Sequence, residues 1–153
     1  RALLLGLKGA MAHARRAYEA SDQLFSEALA LDPNSSYVLA DYSFYLCTRN
    51  GIQEKVEAMA QKSARITPGF VRADHALGWA AMKKKDFSAA RQYLAGALDN
   101  NEEEAPLLLE HYGDLRFQTG DTEGAVKYWS KAQAKGARSS VLERKIAERK
   151  WYE

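Results

Sequence analysis

The feature that most constrains this chain is a stretch that recurs. From Asp74 to Leu98 the sequence reads DHALGWAAMKKKDFSAARQYLAGAL. Ala73, Leu77, Ala80 and Ala81 form one apolar stripe at helical spacing, and Phe87, Ala90, Leu94, Ala97 and Leu98 form a second. Lys83-Lys84-Lys85-Asp86 separates them, with Asp86 placed to cap the second helix through its carboxylate. Two amphipathic helices joined so closely fold back on each other as a hairpin. Gly78 lies inside the first helix, where it costs about 1 kcal/mol relative to alanine. Close helix approach accounts for it, with Ala90 expected opposite.

Four registers repeat that unit. Gly9, Phe44, Gly78 and Gly113 lie 35, 34 and 35 residues apart. Ser21, Val56, Ala90 and Ala125 keep the same steps, as do Ala28, Ser63, Ala97 and Ala132, and Phe25, Ala60, Leu94 and Trp129. A fixed period near 34 residues built from paired helices marks a helical solenoid, because one hairpin cannot bury its apolar face alone.

On these residues the chain resembles the tetratricopeptide-repeat (TPR) proteins. Leu77-Gly78, Asp86-Phe87, Ala90, Leu94 and Ala97 carry the likeness, with FSEALALDP at Phe25 to Pro33 and HYGDLRFQTGDTEGAVKYWSKA at His111 to Ala132. It spans about Leu3 to Lys135, and the DYSFYL and LLEHYGDLRFQTGD segments look like the bacterial type. The resemblance implies an all-α, right-handed solenoid of about four hairpins.

Composition bounds the partners. The 153 residues are one domain's worth, 46% hydrophobic and 27% charged. Twenty-two basic against 20 acidic residues leave no strong electrostatic footprint for nucleic acid or an anionic membrane. A single cysteine, Cys47, excludes an internal disulfide. No apolar run reaches the roughly 18 residues that span a bilayer.

Taken in order, repeats are expected over about 2–35, 37–69, 71–104 and 106–137, followed by a capping helix over 139–152. The first helix has no N-cap and exposes Leu3, Leu4 and Leu7, so its start reads as the cut edge of a longer chain. Helix pairs are expected at about Tyr18–Leu31, at Ser36–Arg49 with Gln53–Ile66, and at Pro106–Thr119 with Thr122–Lys135. Ser140 to Glu143 fits a capping box for the last helix. There Val141, Leu142 and Ile146 would cover the fourth hairpin while Arg144, Lys145, Glu148, Arg149 and Lys150 face water.

Catalytic motifs are missing: no phosphate-binding glycine loop, HExxH, CxxC or GxSxG occurs. His111 and Asp114, three apart on one helix, would make only half a metal site. Cys47 with His75 is a weak nucleophile pair, since a helix-interior cysteine is ordinarily an apolar filler. Glu102-Glu103-Glu104 at a helix start favours the helix dipole without further purpose. The expectation is no catalysis, no cofactor and no metal.

Binding remains, and the resemblance implies where. In TPR arrays the first helix of each hairpin lines a concave groove with its second, fifth, ninth, twelfth and thirteenth positions. Counted with Gly78 as the eighth, unit three offers Arg72, His75, Trp79, Met82 and Lys83. Unit two then offers Val38, Asp41, Tyr45, Thr48 and Arg49. Unit four offers Leu107, Glu110, Asp114, Phe117 and Gln118, and unit one only Leu3, Gly6, Ala10, His13 and Ala14. The expected site is Asp41, Tyr45, Arg49, Arg72, His75, Trp79, Met82, Lys83, Glu110, Asp114 and Phe117. Its centre is the aromatic trio Tyr45, Trp79 and Phe117, although aromatics at helical spacing also pack between helices. TPR proteins that clamp a chaperone's terminal carboxylate carry Lys and Asn where unit one has Gly6 and Ala10, so only Arg72 fits that pattern.

Three functions follow. A protein-interaction scaffold would take a peptide or partner helix in the groove. A structural module of a larger protein, self-associating through Leu3, Leu4 and Leu7, is the alternative. A helical-repeat RNA reader is disfavoured by the near-neutral charge and the 34-residue step. The reading is of a soluble protein whose compartment, cytoplasmic or periplasmic, the sequence does not fix, because any targeting signal would lie upstream of Arg1.

Overall fold

The computed structural model of the chain describes residues 1–51, 53–101 and 105–152, which leaves the Glu102-Glu103-Glu104 run outside the described residues. Among those described, the chain forms nine helices. These are α1 (Ala2–Ala14), α2 (Tyr18–Leu31), α3 (Ser36–Thr48), α4 (Gln53–Ile66), α5 (Val71–Lys83), α6 (Phe87–Asp99), α7 (Pro106–Gln118), α8 (Thr122–Ala134) and α9 (Ser140–Glu148). α1/α2, α3/α4, α5/α6 and α7/α8 pack as hairpins, and α3, α5 and α7 each lie against both helices of the hairpin before. The first helix of each pair is its A helix and the second its B helix, with positions counted from the first helical residue.

The turns are built locally. Asp86 Oδ1 accepts the Ala89 N–H at 3.1 Å and Asp121 Oδ1 that of Gly124 at 2.8 Å, so each aspartate satisfies a helix-start amide. The cap of α9 is Ser139, whose Oγ accepts the Leu142 N–H at 2.9 Å. The expected box beginning at Ser140 is therefore displaced by one residue, because Ser139 is the one in extended backbone, and Leu142 in place of Glu143 cannot reciprocate. Arg16, Asn50, Lys85 and Gly120 occupy the same place in the four A–B turns, with φ of 60°, 54°, 60° and 93°. Left-handed backbone there turns the chain, at roughly 1–2 kcal/mol for each non-glycine residue.

B-helix packing follows the registers read from the sequence. Ser21, Val56, Ala90 and Ala125 at position four are all fully buried. So are Phe25, Ala60, Leu94 and Trp129 at position eight and Ala28, Ser63, Ala97 and Ala132 at position eleven. What faces the A-helix glycine is the position-eight residue, not the expected Ala90. A Cβ on Gly78 would lie 2.6 Å from Leu94 Cγ, one on Gly113 2.5 Å from Trp129 Cδ1, and one on Gly9 2.9 Å from Phe25 Cδ2. Each glycine is the notch into which the partner helix sets the largest of its buried side chains.

Unit two corrects the reading. Ser43, fully buried, stands at position eight, and Phe44 is half-buried one place further on. α3 begins 17 residues before α4 (53 − 36), whereas α1, α5 and α7 begin 16 before their partners. That extra residue shifts the A helix against the B registers. Both position-eight residues of this unit, Ser43 and Ala60, are small and fully buried, and the large ring of α3, Tyr42, stacks instead on Phe25 of the first hairpin at 4.9 Å between centroids.

At the far end, Leu142 is buried against a cluster holding Leu109, Trp129 and Ala132, with Ile146 partly buried beside it. Lys145, expected to face water, is only 4% exposed, while Val141, expected to pack, is exposed. At the near end Leu3, Leu4, Leu7 and Met11 are exposed on α1. No helix among the described residues is long and apolar enough to cross a membrane.

A comparison of two glycines tests this packing. Gly96, inside α6 with nothing within 4 Å of where a Cβ would stand, should gain about 0.5–1 kcal/mol on substitution by alanine through helix propensity. Gly78→Ala should instead cost about 1–3 kcal/mol through overpacking against Leu94. Urea denaturation of both variants measures the opposite signs.

Candidate functional site

Two neighbouring open cavities lie along the A helices, the first of them bordered also by the C-terminal segment. The first, about 500 Å³, is lined by Cys47, Thr48, Asn50, Trp79, Met82, Lys83, Lys85, Glu110, His111, Asp114 and Gln118, and closed by Val141, Lys145, Trp151 and Tyr152. The second, about 490 Å³, lies among Phe44, Phe70, Arg72, His75, Asn101 and Leu107. His75 borders one and His111 the other, and the two imidazoles meet between them, Nε2 to Nδ1 at 2.8 Å. That bond joins position five of α5 to position six of α7, so adjacent units are tied across the floor of the site.

Charge is distributed unevenly. Burial, aided by the Arg72 guanidinium, holds His75 down to about 3. Burial first, then the neighbouring His75, Lys145 and Lys83, keeps His111 well below the usual range. The pair is thus neutral near pH 7, one ring donating and the other accepting. Lys145 Nζ reaches Asp114 at 2.9 Å and Glu110 at 2.9 Å, and Asp114 Oδ1 also accepts Trp129 Nε1–H at 2.9 Å. Burial nonetheless pushes the Asp114 carboxyl up to about 6, against the pull of Lys145 and the Trp129 bond. Lys83 Nζ donates to two neutral acceptors, Cys47 O at 2.9 Å and Asn50 Oδ1 at 2.6 Å, and sits 5.3 Å from the Trp79 ring centroid. Among the described residues no carboxylate pairs with it, whereas the two acids of α7 are both bonded to Lys145.

The eleven expected site residues divide accordingly. Trp79, Met82, Lys83, Glu110 and Asp114 line the first cavity, and Arg72 and His75 the second. Four are elsewhere. Asp41 is buried, 3.0 Å from Arg72 Nε, its carboxyl raised by desolvation against the pull of Arg72 and a bond from Tyr37. Tyr45 turns to the first hairpin, 4.5 Å from the His13 ring and 5.9 Å from Phe25. Arg49 grips Asp22 of α2 through both guanidinium nitrogens, at 2.6 and 3.3 Å, and lies over Tyr18. These three follow from the one-residue shift in unit two, which brings Phe44 into the site under the Arg72 guanidinium at 4.6 Å. Phe117 packs on Trp129 at 5.9 Å instead of lining either cavity, because α9 closes that end. Of the aromatic trio, only Trp79 borders a cavity.

The residues missed were Phe44, Trp151, Tyr152 and, above all, Lys145. The extra residue around Asn50-Gly51 was the signal for the first. Nothing in the sequence distinguishes Lys145 from its exposed neighbours except its alignment with Leu142 and Ile146 on the buried face of α9. As for chemistry, burial pushes the Cys47 thiol up to about 12, so it stays protonated, and its nearest polar partner is Ala76 O at 3.8 Å. His75, its expected base, is engaged with His111. No group of three or more potential metal ligands occurs among the described residues.

No family model matches the chain, and no curated protein matches it in sequence. Solved structures do match in shape. Pseudomonas aeruginosa PilF shares 18% identity over 97% of this chain and 67% of its own, with a TM-score of 0.78. PilW, a type IV pilus biogenesis factor, shares 21% over 97% and 70%, also at 0.78. TTC0263, a TPR protein of Thermus thermophilus, shares 14% over 97% and 98%, at 0.61. The fold of this chain is that of a TPR solenoid.

Replacing Lys145 by alanine should strand two carboxylates at the α7/α9 contact. Breaking such a buried pair costs about 3–5 kcal/mol, but here undocking of the terminal α9 limits the loss. Amide exchange in Ser140–Glu148 should accelerate by roughly a hundredfold while α3 to α6 keep their protection. Exchange that rises equally everywhere, or not at all, contradicts the anchoring role.

Proposed function

We propose that the chain is a non-catalytic protein-interaction scaffold whose concave face takes a peptide or helix of a partner protein. The observation that carries the reading is Trp79. This half-buried indole borders a cavity of about 500 Å³ beside the Lys83 ammonium, which no carboxylate among the described residues pairs. Rigid aromatic surface next to a cation inside a concavity is what dominates binding energy at protein interfaces. Cys47 and the His75–His111 pair, being protonated and mutually bonded, do not supply a nucleophile and base, in keeping with a non-catalytic role.

The partner segment suited to this surface offers an apolar or aromatic side chain to Trp79 and an acidic group to Lys83. Glu110 and Asp114 already bond Lys145, which offsets one of their two charges and weakens their pull on a basic ligand. Peptides selected from a displayed random library on the intact chain test this. Their affinity should fall at least tenfold for Trp79→Ala, acidic residues should be enriched, and that enrichment should disappear for Lys83→Glu. Peptides that bind Trp79→Ala as tightly as the parent would sink the groove reading.

A further inference from the structure

Between the two cavities lie two imidazoles that share one bridging hydrogen. Nε2 of His75 and Nδ1 of His111 are 2.8 Å apart. Aromatic rings close over both: Phe44 stands edge-on to His75 at 5.1 Å between centroids, and Trp79 lies 4.1 Å from His111. Two lone pairs at that separation repel and two N–H groups clash, so one ring donates and the other accepts. Among the described residues this is the only hydrogen bond that either side chain makes. Nδ1 of His75 and Nε2 of His111 are left over. Neither is among the enclosed polar atoms without a partner, so each keeps open surface. His75 lines the second cavity and His111 the first.

A neutral imidazole carries one N–H, and this fixes the two outer nitrogens in opposite senses. If His111 gives the bridging hydrogen, its Nε2 is a bare acceptor and His75 holds its hydrogen on Nδ1. If His75 gives it, His111 holds Nε2–H and Nδ1 of His75 is bare. One cavity meets a donor whenever the other meets an acceptor. Charge selects between the two states. Lys145 and Lys83 act on His111 and Arg72 on His75, and each cation favours a bare nitrogen at its own end. An acid entering beside Lys83 offsets that ammonium and accepts from His111 Nε2–H, which leaves Nδ1 of His75 as an acceptor. Arg72, its side chain 40% exposed, lines the same second cavity and donates. An amide satisfies both, giving its N–H to His75 and accepting at its carbonyl from the guanidinium.

We propose that the His75–His111 pair couples the two cavities, so that a partner segment placing an acid in the first places an amide in the second. This rests on the reading of the concave face as a binding groove, and it adds which groups that groove can read together. The two residues are specificity-determining contacts whose preferences are linked through one hydrogen.

The coupling is measurable without a partner. The intact chain, labelled with nitrogen-15 at its three histidines, is observed by NMR at pH 7, with His13→Gln to assign the third ring. A scalar coupling between Nε2 of His75 and Nδ1 of His111 should report the bridge. Lys83→Glu sets a carboxylate at the rim of the first cavity in the place of a partner's acid. It should raise the population of His111 Nε2–H and deplete His75 Nδ1–H in step, changing their ratio by at least about twofold. Arg72→Gln, which removes the cation at the other end, should move the ratio the opposite way. In the parent and both variants the two outer nitrogens should hold one hydrogen between them. A missing bridge, a hydrogen on both outer nitrogens or on neither, or a ratio that neither variant moves each overturns the proposal. The Trp79→Ala peptide result would stand in any of those cases, and its failure would leave the bridge untouched, so the two readings fail separately.

Discussion

A size match repeated along the chain holds this structure together. At position eight of the first, third and fourth hairpins, a side chain on the B helix enters space left by a glycine on the A helix: Phe25 over Gly9, Leu94 over Gly78, Trp129 over Gly113. Protein interiors pack like organic crystals, so a notch and its filler fix how close two helices lie and how they are rotated. Everything on the concave face is set by that rotation. Trp79, next to Gly78 in sequence, points into the groove because Gly78 faces Leu94 on the other side. Asp114, next to Gly113, accepts the indole N–H of the very tryptophan that fills the notch.

Polar interactions act at a second level, between hairpins. Arg49–Asp22 and Lys84–Glu57 recur at one register, the His75–His111 bond links α5 to α7, and Lys145 fastens α9 to α7. The surface pairs contribute little stability individually. Their effect is on alignment, since each joins residues from consecutive units. The buried Lys145 differs in kind: it bonds both Glu110 and Asp114 and offsets one of their two negative charges, while Lys83, on the facing helix, is held by neutral acceptors.

Much of this was legible in the sequence, for physical reasons that also explain the failures. B-helix registers were readable because positions four, eight and eleven are buried on one face at fixed spacing, whatever residue fills them. Helix limits were readable from Asp86, Asp121, Pro33 and Gly120, whose backbone chemistry is local. The A-helix register in unit two was missed, since the one added residue ahead of α4 shows only in the length of the turn around Asn50-Gly51 and not in the hydrophobic periodicity, while it moves Ser43 and Phe44 by one place. Three expected groove residues, Asp41, Tyr45 and Arg49, moved with it. Phe117 and Lys145 were misjudged for another reason: which face a terminal helix presents depends on tertiary packing against Leu109 and Trp129, and a charged side chain at its edge gives no local sign of being buried.

The notch at position eight is the central claim, and a double-mutant cycle at Gly113 and Trp129 tests it most directly. Unfolding free energies would be measured for Gly113→Ala, Trp129→Leu and the pair. If the indole occupies the space a methyl would need, the alanine should be costly beside Trp129 and nearly harmless beside the smaller leucine. The coupling should then be at least about 1 kcal/mol, within the range seen for side chains in contact. Effects that add to within roughly 0.3–0.5 kcal/mol would mean the two positions do not share that space, and the account of how the hairpins close would be wrong.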